Sequence, residues 1–485
     1  MSTPTAAAAP PTVIAVPPKL VDLCAHLEAR GFSAWLVGGA VRDSLLHRPV
    51  GDWDVATTAR PEDVQRAFRK VIPTGIQHGT VTVLWRGAAV EVTTLRTEGA
   101  YRDGRRPEAV HFVEDIGLDL ARRDFTINAM AWRPHEGVLV DPFGGRDDLT
   151  AGQVRAVGDA LTRFREDGLR ILRAARFVAT LDFQLDTATA AAMTGALDVL
   201  AQVSGERIRV ELWKLLAGRQ PTRGLTLLWH GGALATLWPE VQGWSPHEAM
   251  WQRACEMVSV LPPEPCLRLA GLLWGLIAPF GPSWRAADAA LSKRLDQASA
   301  LLLRLKPSKQ ERQRVHSALS ACSQVPMRGA SSSTVGQSTT ARSSATHPAA
   351  MTPAAVQACG TMTAHPVPEL EALPQRQWVA AQGRAAARDA AAILRAAAGF
   401  TDAAAAWQAW HDAVEAICAA TLPLSVGELR LSGGDLRRLL DVPAGPELGQ
   451  LLRHLLQHVL AHPEAHTEAA LLAAARRWLA AQGGA

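Results

Sequence analysis

Asp52 and Asp54, one residue apart in "GDWDVATTARPEDV", carry carboxylates that repel each other unless a cation sits between them. On a strand, residues i and i+2 point to one face, so this spacing puts both carboxylates on the same side. Mg2+ is a hard ion that prefers oxygen ligands. Two such ions roughly 3.5–4 Å apart stabilise both the entering and the leaving oxygen of an in-line phosphoryl displacement. Just upstream, "LVGGAVRD" leads an apolar run into Gly38 and Gly39, whose missing Cβ atoms let backbone N–H groups approach an anion. Arg42 follows on the first helical turn, within reach of the same anion. Taken singly, the acid pair reads as solvated loop aspartates and the glycine pair as a tight turn with a surface arginine. Together they read as a triphosphate holder followed by a metal holder. A third acid, Glu91 in "AVEVTTLR", faces away from Val90 and Val92, on a run expected to pair beside the aspartate strand. Neither GxxxxGK[ST] nor GxGxxG occurs, which excludes the P-loop and the dinucleotide fingerprint.

A second chemical stretch runs from Arg163 to Arg176. Asp167, Arg170, Arg173 and Arg176 recur every three residues, a stripe along one helix face flanked by Leu169, Ile171, Leu172 and Phe177. Such a stripe is ordinarily a solvated face, on which Asp167 and Arg170 would simply pair with each other. "RRD" at Arg122–Asp124 reads, by itself, as a helix-start salt bridge.

The elements that must position these groups fall into two regimes. From about Leu20 to Leu149 strands and helices mix. "AWLVGG" and "WDVAT" are short strands, "RPEDVQRAF" opens a helix with Pro and acids in its first turn, and "GTVTVLWRGAAVEVTTLR" is a hairpin about an Arg-Gly turn. After about Ala151 strand signals stop and Leu/Ala/Arg-rich helical spacing takes over. The segment 327–366, rich in Ser, Thr, Ala and Gly with few charges, has the composition of a disordered insertion. The alanine-rich helices beyond it are expected to pack closely through small side chains.

The chain has 485 residues, too many for one core, with 48% hydrophobic and 20% charged residues, a globular composition. A net charge of +4 permits a nucleic-acid partner without demanding one. Six cysteines contain no CxxC pair, which argues against a zinc site or disulfide framework and for reduced thiols in a cytoplasmic enzyme. Residues 1–18 read as a flexible leader rather than a signal peptide, and no uncharged apolar run is long enough to span a membrane. Fifteen tryptophans against one tyrosine tempt a base-stacking reading, but their helical spacing favours packing.

"LVGGAVRD" and "GDWDVATTARPEDV", followed in order by "RRDFTINAMAW", "DPFGGRDDL", "FREDGLRILRAARFVATLDF" and "SGERIRVELWKLL", resemble the class II tRNA nucleotidyltransferase and poly(A) polymerase family, most of all the bacterial CCA-adding enzymes. A weaker likeness continues in "LRLSGGDLRRLLDVPAGPELGQLL". The resemblance implies an α+β fold: a polymerase-β-like head with a mixed sheet, then all-α neck, body and tail. The expected divisions are leader 1–18, head 19–151, neck 152–220, body 221–326, insertion 327–366 and tail 367–485. It implies template-independent addition of CCA to the tRNA 3′ end from CTP and ATP, with tRNA as partner and no protein or membrane partner. Asp52 and Asp54 would bind two Mg2+ ions, with Glu91 the third carboxylate. Gly38, Gly39 and Arg42 would hold the triphosphate, Arg123 would contact the nucleotide, and Asp124 and Asn128 would lie near the ribose. Asp167 and Arg170 would form a protein template for the incoming base, and Arg173 and Arg176 would contact phosphate. Cytosine and adenine each present an amino donor beside a ring-nitrogen acceptor, which a carboxylate and a guanidinium match; uracil and guanine do not. The segment Arg96–Pro107 resembles a loop that CC-only relatives lack. Addition of the final A alone, poly(A) synthesis, and an inactive RNA-binding module on the same scaffold remain as alternatives.

Overall fold

The computed structural model describes residues 14–98, 110–243, 248–278, 289–326, 371–399 and 403–482. The first thirteen residues of the expected leader, residues 99–107 of the expected loop and the whole 327–366 segment lie outside the described residues. The chain divides into two compact units, Met1–Ser245 with Arg304–Lys306, and Pro246–Leu303 with Pro307–Ala485.

The first unit opens with helix α1 (Pro18–Glu28), strand β1 (Ala34–Val37), α2 (Gly39–Leu45), β2 (Asp54–Thr57) and α3 (Pro61–Ala67). Then come β3 (Val71–Gly75), β4 (Thr80–Trp85), β5 (Ala88–Thr94), β6 (Arg96–Glu98), β7 (Val110–Phe112), α4 (Ile116–Ala121), β8 (Ala131–Arg133) and β9 (Val138–Val140). Seven of these strands form one mixed sheet in the order β3-β4-β5-β2-β1-β8-β9, while β6 and β7 pair as a separate ribbon. The expected hairpin is β4–β5, closed by Arg86 and Gly87 with φ of 45° and 77°, the two positive values a type I′ turn requires. Helix α3 carries Pro61 at its start with Glu62 and Asp63 in its first turn, where the helix dipole favours acids. All four residues of β1 are buried, because the strand runs through the middle of the sheet with apolar packing on both faces.

Strand β2 lies between antiparallel β1 and parallel β5. It begins at Asp54, so Asp52 stands in the chain just before it rather than on it. The cause is the neighbour: β1 ends at Val37, opposite Asp54, and the chain then turns away at Gly38, so nothing pairs with the residues before Asp54.

Helices continue with α5 (Gly145–Ala151), α6 (Ala160–Glu166), α7 (Leu169–Leu181), α8 (Thr187–Ala192), α9 (Leu197–Leu200), α10 (Gly205–Leu216) and α11 (Pro221–His230). Strand character does not end at Ala151: β10 (Gln153–Val154) and β11 (Gln184–Leu185) make a two-residue parallel pair, too short to leave an alternating pattern in the sequence. The helix expected through Arg163–Arg176 is broken. Asp167, with φ −151° and ψ 105°, is extended and closes α6, so it does not share a helix with Arg170. Gly168 makes the break fit. A Cβ there would lie 2.5 Å from the Leu200 nitrogen and 2.6 Å from its Cα, so only glycine lets the two backbones meet.

The second unit is helical throughout its described residues, from Glu248–Val260 to Glu468–Gln482. Helix Arg384–Ala398 buries Ala386, Ala387, Ala390 and Ala391 beside Ile393 and Leu394, the close small-residue packing its composition predicts. Trp410 packs between Trp378, tilted at 5.0 Å, and Trp407, edge-on at 5.5 Å between ring centroids, and all three are buried, so these tryptophans are core. Leu436, Leu451, Leu455, Val459 and Leu471 form a separate apolar cluster nearer the C-terminus. The five described cysteines are buried. Among the described residues no helix is long and apolar enough to cross a membrane.

Gly168→Ala forces the α7 entry away from Leu200. We expect a loss of about 1–3 kcal/mol and a fall of several degrees in Tm; an unchanged thermal melt would show that the turn is not packed this way.

Candidate active site

Asp54 is the centre of the head's charged surface. In the sheet it sits between Val37, the last residue before the glycine turn, and Glu91, its register partner on β5. Sheet pairing therefore brings together the three features whose nearness the sequence leaves unexplained. Asp54 is partly buried, and Asp52 and Glu91 are exposed. Burial first, then the Glu91 and Asp52 carboxylates, push the Asp54 pKa above its ordinary value, against an opposing pull from Arg123. Carboxylates crowded in this way fit a divalent cation. Mg2+ commonly takes one or two protein carboxylates and completes its shell with water and substrate phosphate. Among the described residues no three His, Cys, Asp or Glu side chains, Asp52, Asp54 and Glu91 included, come together as a group that could hold a metal ion.

Gly38 has φ 72° and ψ −135°, a backbone conformation that favours glycine, and a Cβ there would lie 3.0 Å from Nη1 of Arg123. The turn thus needs glycine both for its shape and for the arginine packed against it. Gly39 starts α2, and Arg42 on that helix donates to Asn128 Oδ1 at 2.6 Å and pairs with Asp43 at 2.9 Å. Arg123 donates to Asp119 Oδ2 at 3.2 Å, and its buried Nε has no hydrogen-bond partner among the described residues.

Asp124 is buried, not open to a ligand. Its carboxylate accepts from Asn128 Nδ2 at 3.1 Å and from Arg173 Nε at 2.7 Å. Burial alone would raise its pKa, but Arg173, the Asn128 hydrogen bond and Arg170 hold it at about 2. Asp124 and Asn128 reach the site by fixing Arg173 and Arg42.

The arginine stripe is likewise not a solvated face. Arg170 is 8% exposed and donates to Glu166 at 2.5 Å, to the Arg163 carbonyl at 3.0 Å and to the Arg122 carbonyl at 3.1 Å. Arg173 bridges Asp124 and Glu211, and Arg176 donates to Glu211 at 2.5 Å. Asp167 does not pair with Arg170. Its carboxylate takes Nη2 of Arg207 at 2.6 Å and the Leu169 N–H at 3.1 Å.

Residues 34–155 match the family described as the poly A polymerase head domain. Residues 182–244 match the family described as the probable RNA and SrmB-binding site of polymerase A. A CCA-adding enzyme of Geobacillus thermodenitrificans is 42% identical over 267 residues, which cover 52% of this chain and 65% of that protein. One of Leuconostoc citreum is 50% identical over 202 residues, 42% of this chain and 50% of that protein. The matched stretch thus spans less than two thirds of these curated relatives. The crystal structure of the Bacillus stearothermophilus CCA-adding enzyme in complex with CTP is 29% identical, covers 92% of both chains and has a TM-score of 0.63.

In the first unit four site residues escape a sequence reading: Asp119, Glu166, Arg207 and Glu211. Asp119 is 1% exposed and takes both Arg122 and Arg123. Glu211 alone leaves a cue, since it shares the apolar face of α10 with Ile208, Leu212 and Leu215, where an unpaired acid would be costly.

The raised Asp54 pKa has a stability consequence. An acid whose folded-state pKa exceeds its unfolded value destabilises the fold as pH rises through the titration, so at pH 7 without divalent ions Asp54 works against folding. Asp54→Asn should therefore raise Tm in chelator at pH 7, while added Mg2+ raises the Tm of the wild type and not of the variant. A variant less stable than wild type in chelator would contradict the crowded-carboxylate picture.

Proposed function

We propose that this chain adds CCA to the 3′ end of tRNA, using CTP and ATP and releasing pyrophosphate. The observation that carries the reading is the register of Asp54 with Glu91 on one side and the Val37–Gly38 turn on the other, which sets a carboxylate group beside an anion-holding turn. The similarity to CCA-adding enzymes supports it.

In this reading Asp52 and Asp54 hold two Mg2+ ions with Glu91 as the third carboxylate; when bound, the ions supply charge stabilisation to the entering and leaving oxygens. Gly38 and Gly39 offer backbone N–H groups, and Arg42 a guanidinium, to the triphosphate. Arg123, with a buried donor to spare, contacts the nucleotide. Arg173 and Arg176 keep the polyphosphate side cationic. The Asp167 carboxylate, oriented by Arg207, accepts from the exocyclic amino group of C or A. The hydrogen bonds named for Arg170 use three of its five N–H donors, which leaves donors for the ring nitrogen. The helices after the head, and the tail, take the tRNA. A cytoplasmic location accords with this substrate.

The test uses tRNA ending before CCA, after CC, and complete, with each nucleotide supplied alone. CMP should add only to the first and AMP only to the second, with the complete end inert. Addition of AMP but never CMP marks an A-only enzyme, repeated AMP addition to the complete end a poly(A) polymerase, and tRNA binding without any addition an inactive module. Asp167→Ala should reduce the preference for CTP over UTP by about ten- to hundredfold in kcat/KM. An unchanged ratio would remove Asp167 from base selection.

A further inference from the structure

Three guanidinium groups converge on one buried phenyl ring. Phe177 is 2% exposed on α7, and the Cζ atoms of Arg176, Arg42 and Arg173 lie 3.9, 5.1 and 5.8 Å from its centroid. All three are within the range in which a cation is drawn to an aromatic face. The Phe125 ring meets Phe177 edge-on, 5.6 Å away at 80°, and fixes its tilt.

These arginines come from different elements. Arg42 belongs to α2, beside the glycine turn, whereas Arg173 and Arg176 belong to α7. Like charges gathered this closely repel, and Asp43, Asp124 and Glu211 offset part of that repulsion. A carboxylate, however, cancels the charge it holds. Each one added to steady an arginine weakens the pull of the cluster on an anion. An aromatic ring attracts cations through its quadrupole and carries no net charge. It gathers guanidiniums without discharging them.

We propose that Phe177 is a positioning residue for the polyphosphate of the incoming nucleotide. Its ring holds Arg42, Arg173 and Arg176 in one cluster without adding to the negative charge that Asp43, Asp124 and Glu211 already bring. Phe177 touches no substrate itself and acts through the three cations. The proposal rests on the reading that this chain binds nucleoside triphosphates.

The experiment replaces Phe177 in the full chain by mono-, di- and trifluorinated phenylalanine, which keep the ring's shape and progressively weaken its quadrupole; Phe177→Leu and Phe177→Tyr complete the set. KM for CTP and ATP should climb step by step with fluorination, reach about tenfold in Phe177→Leu and stay near wild type in Phe177→Tyr. kcat at saturating nucleotide should change far less, and Tm should hold across the fluorinated set. A residue that only fills the core would give the reverse, a flat KM across the fluorinated set with Tm lowered in Phe177→Leu, and that result overturns the proposal. Direct titration of the wild type separates the two levels. Absence of CTP and ATP binding defeats the underlying functional reading, whereas binding with a flat fluorination series defeats the role of Phe177 alone.

Discussion

Arg173 is held between two buried carboxylates, Asp124 from the segment after α4 and Glu211 from α10. Much of the site depends on that clamp. Asp124 also accepts from Asn128, and Asn128 in turn accepts from Arg42, so the chain of contacts runs from α10 through α7 to the glycine turn. A buried carboxylate with its cation removed is expensive, because the remaining charge has lost its water without gaining a replacement. The positions of Arg42 and Arg173 are therefore coupled through charges that cannot be left unpaired.

A second constraint is the sheet. Its register decides which carboxylates meet, and one position of slip would turn Glu91 to the buried face and Val90 and Val92 to the exposed one. The same pairing starts β2 at Asp54 and leaves Asp52 just before the strand. One carboxylate on the strand and one just before it suit an ion whose remaining ligands arrive with the substrate.

Much of this is legible in the sequence where the physics is local. The Arg86–Gly87 hairpin, the glycine turn after β1 and the proline-led α3 all follow from residue types within a few positions of one another. What escapes is non-local. Arg173 meets Asp124 across 49 residues and Arg176 meets Glu211 across 35, and neither pairing leaves a spacing that a helix or strand period reveals. The stripe Asp167-Arg170-Arg173-Arg176 shows the cost. Its three-residue period suggested one helix with a wet face, but the backbone contact between Gly168 and Leu200 breaks that helix, and burial turns its arginines inward. A charged stripe says where the cations are along the chain and nothing about which distant acids receive them.

The central claim, that one ion network ties α7 and α10 to the helix after the glycine turn, is tested most directly by a double-mutant cycle. Asp124→Asn, Arg173→Gln and the combined variant are unfolded in urea at pH 7 beside the wild type. The account predicts that the two single losses do not add, with a coupling of about 1–3 kcal/mol. Losses that add to within about 0.3–0.5 kcal/mol would mean that Asp124 and Arg173 are independent, and the clamp would not exist.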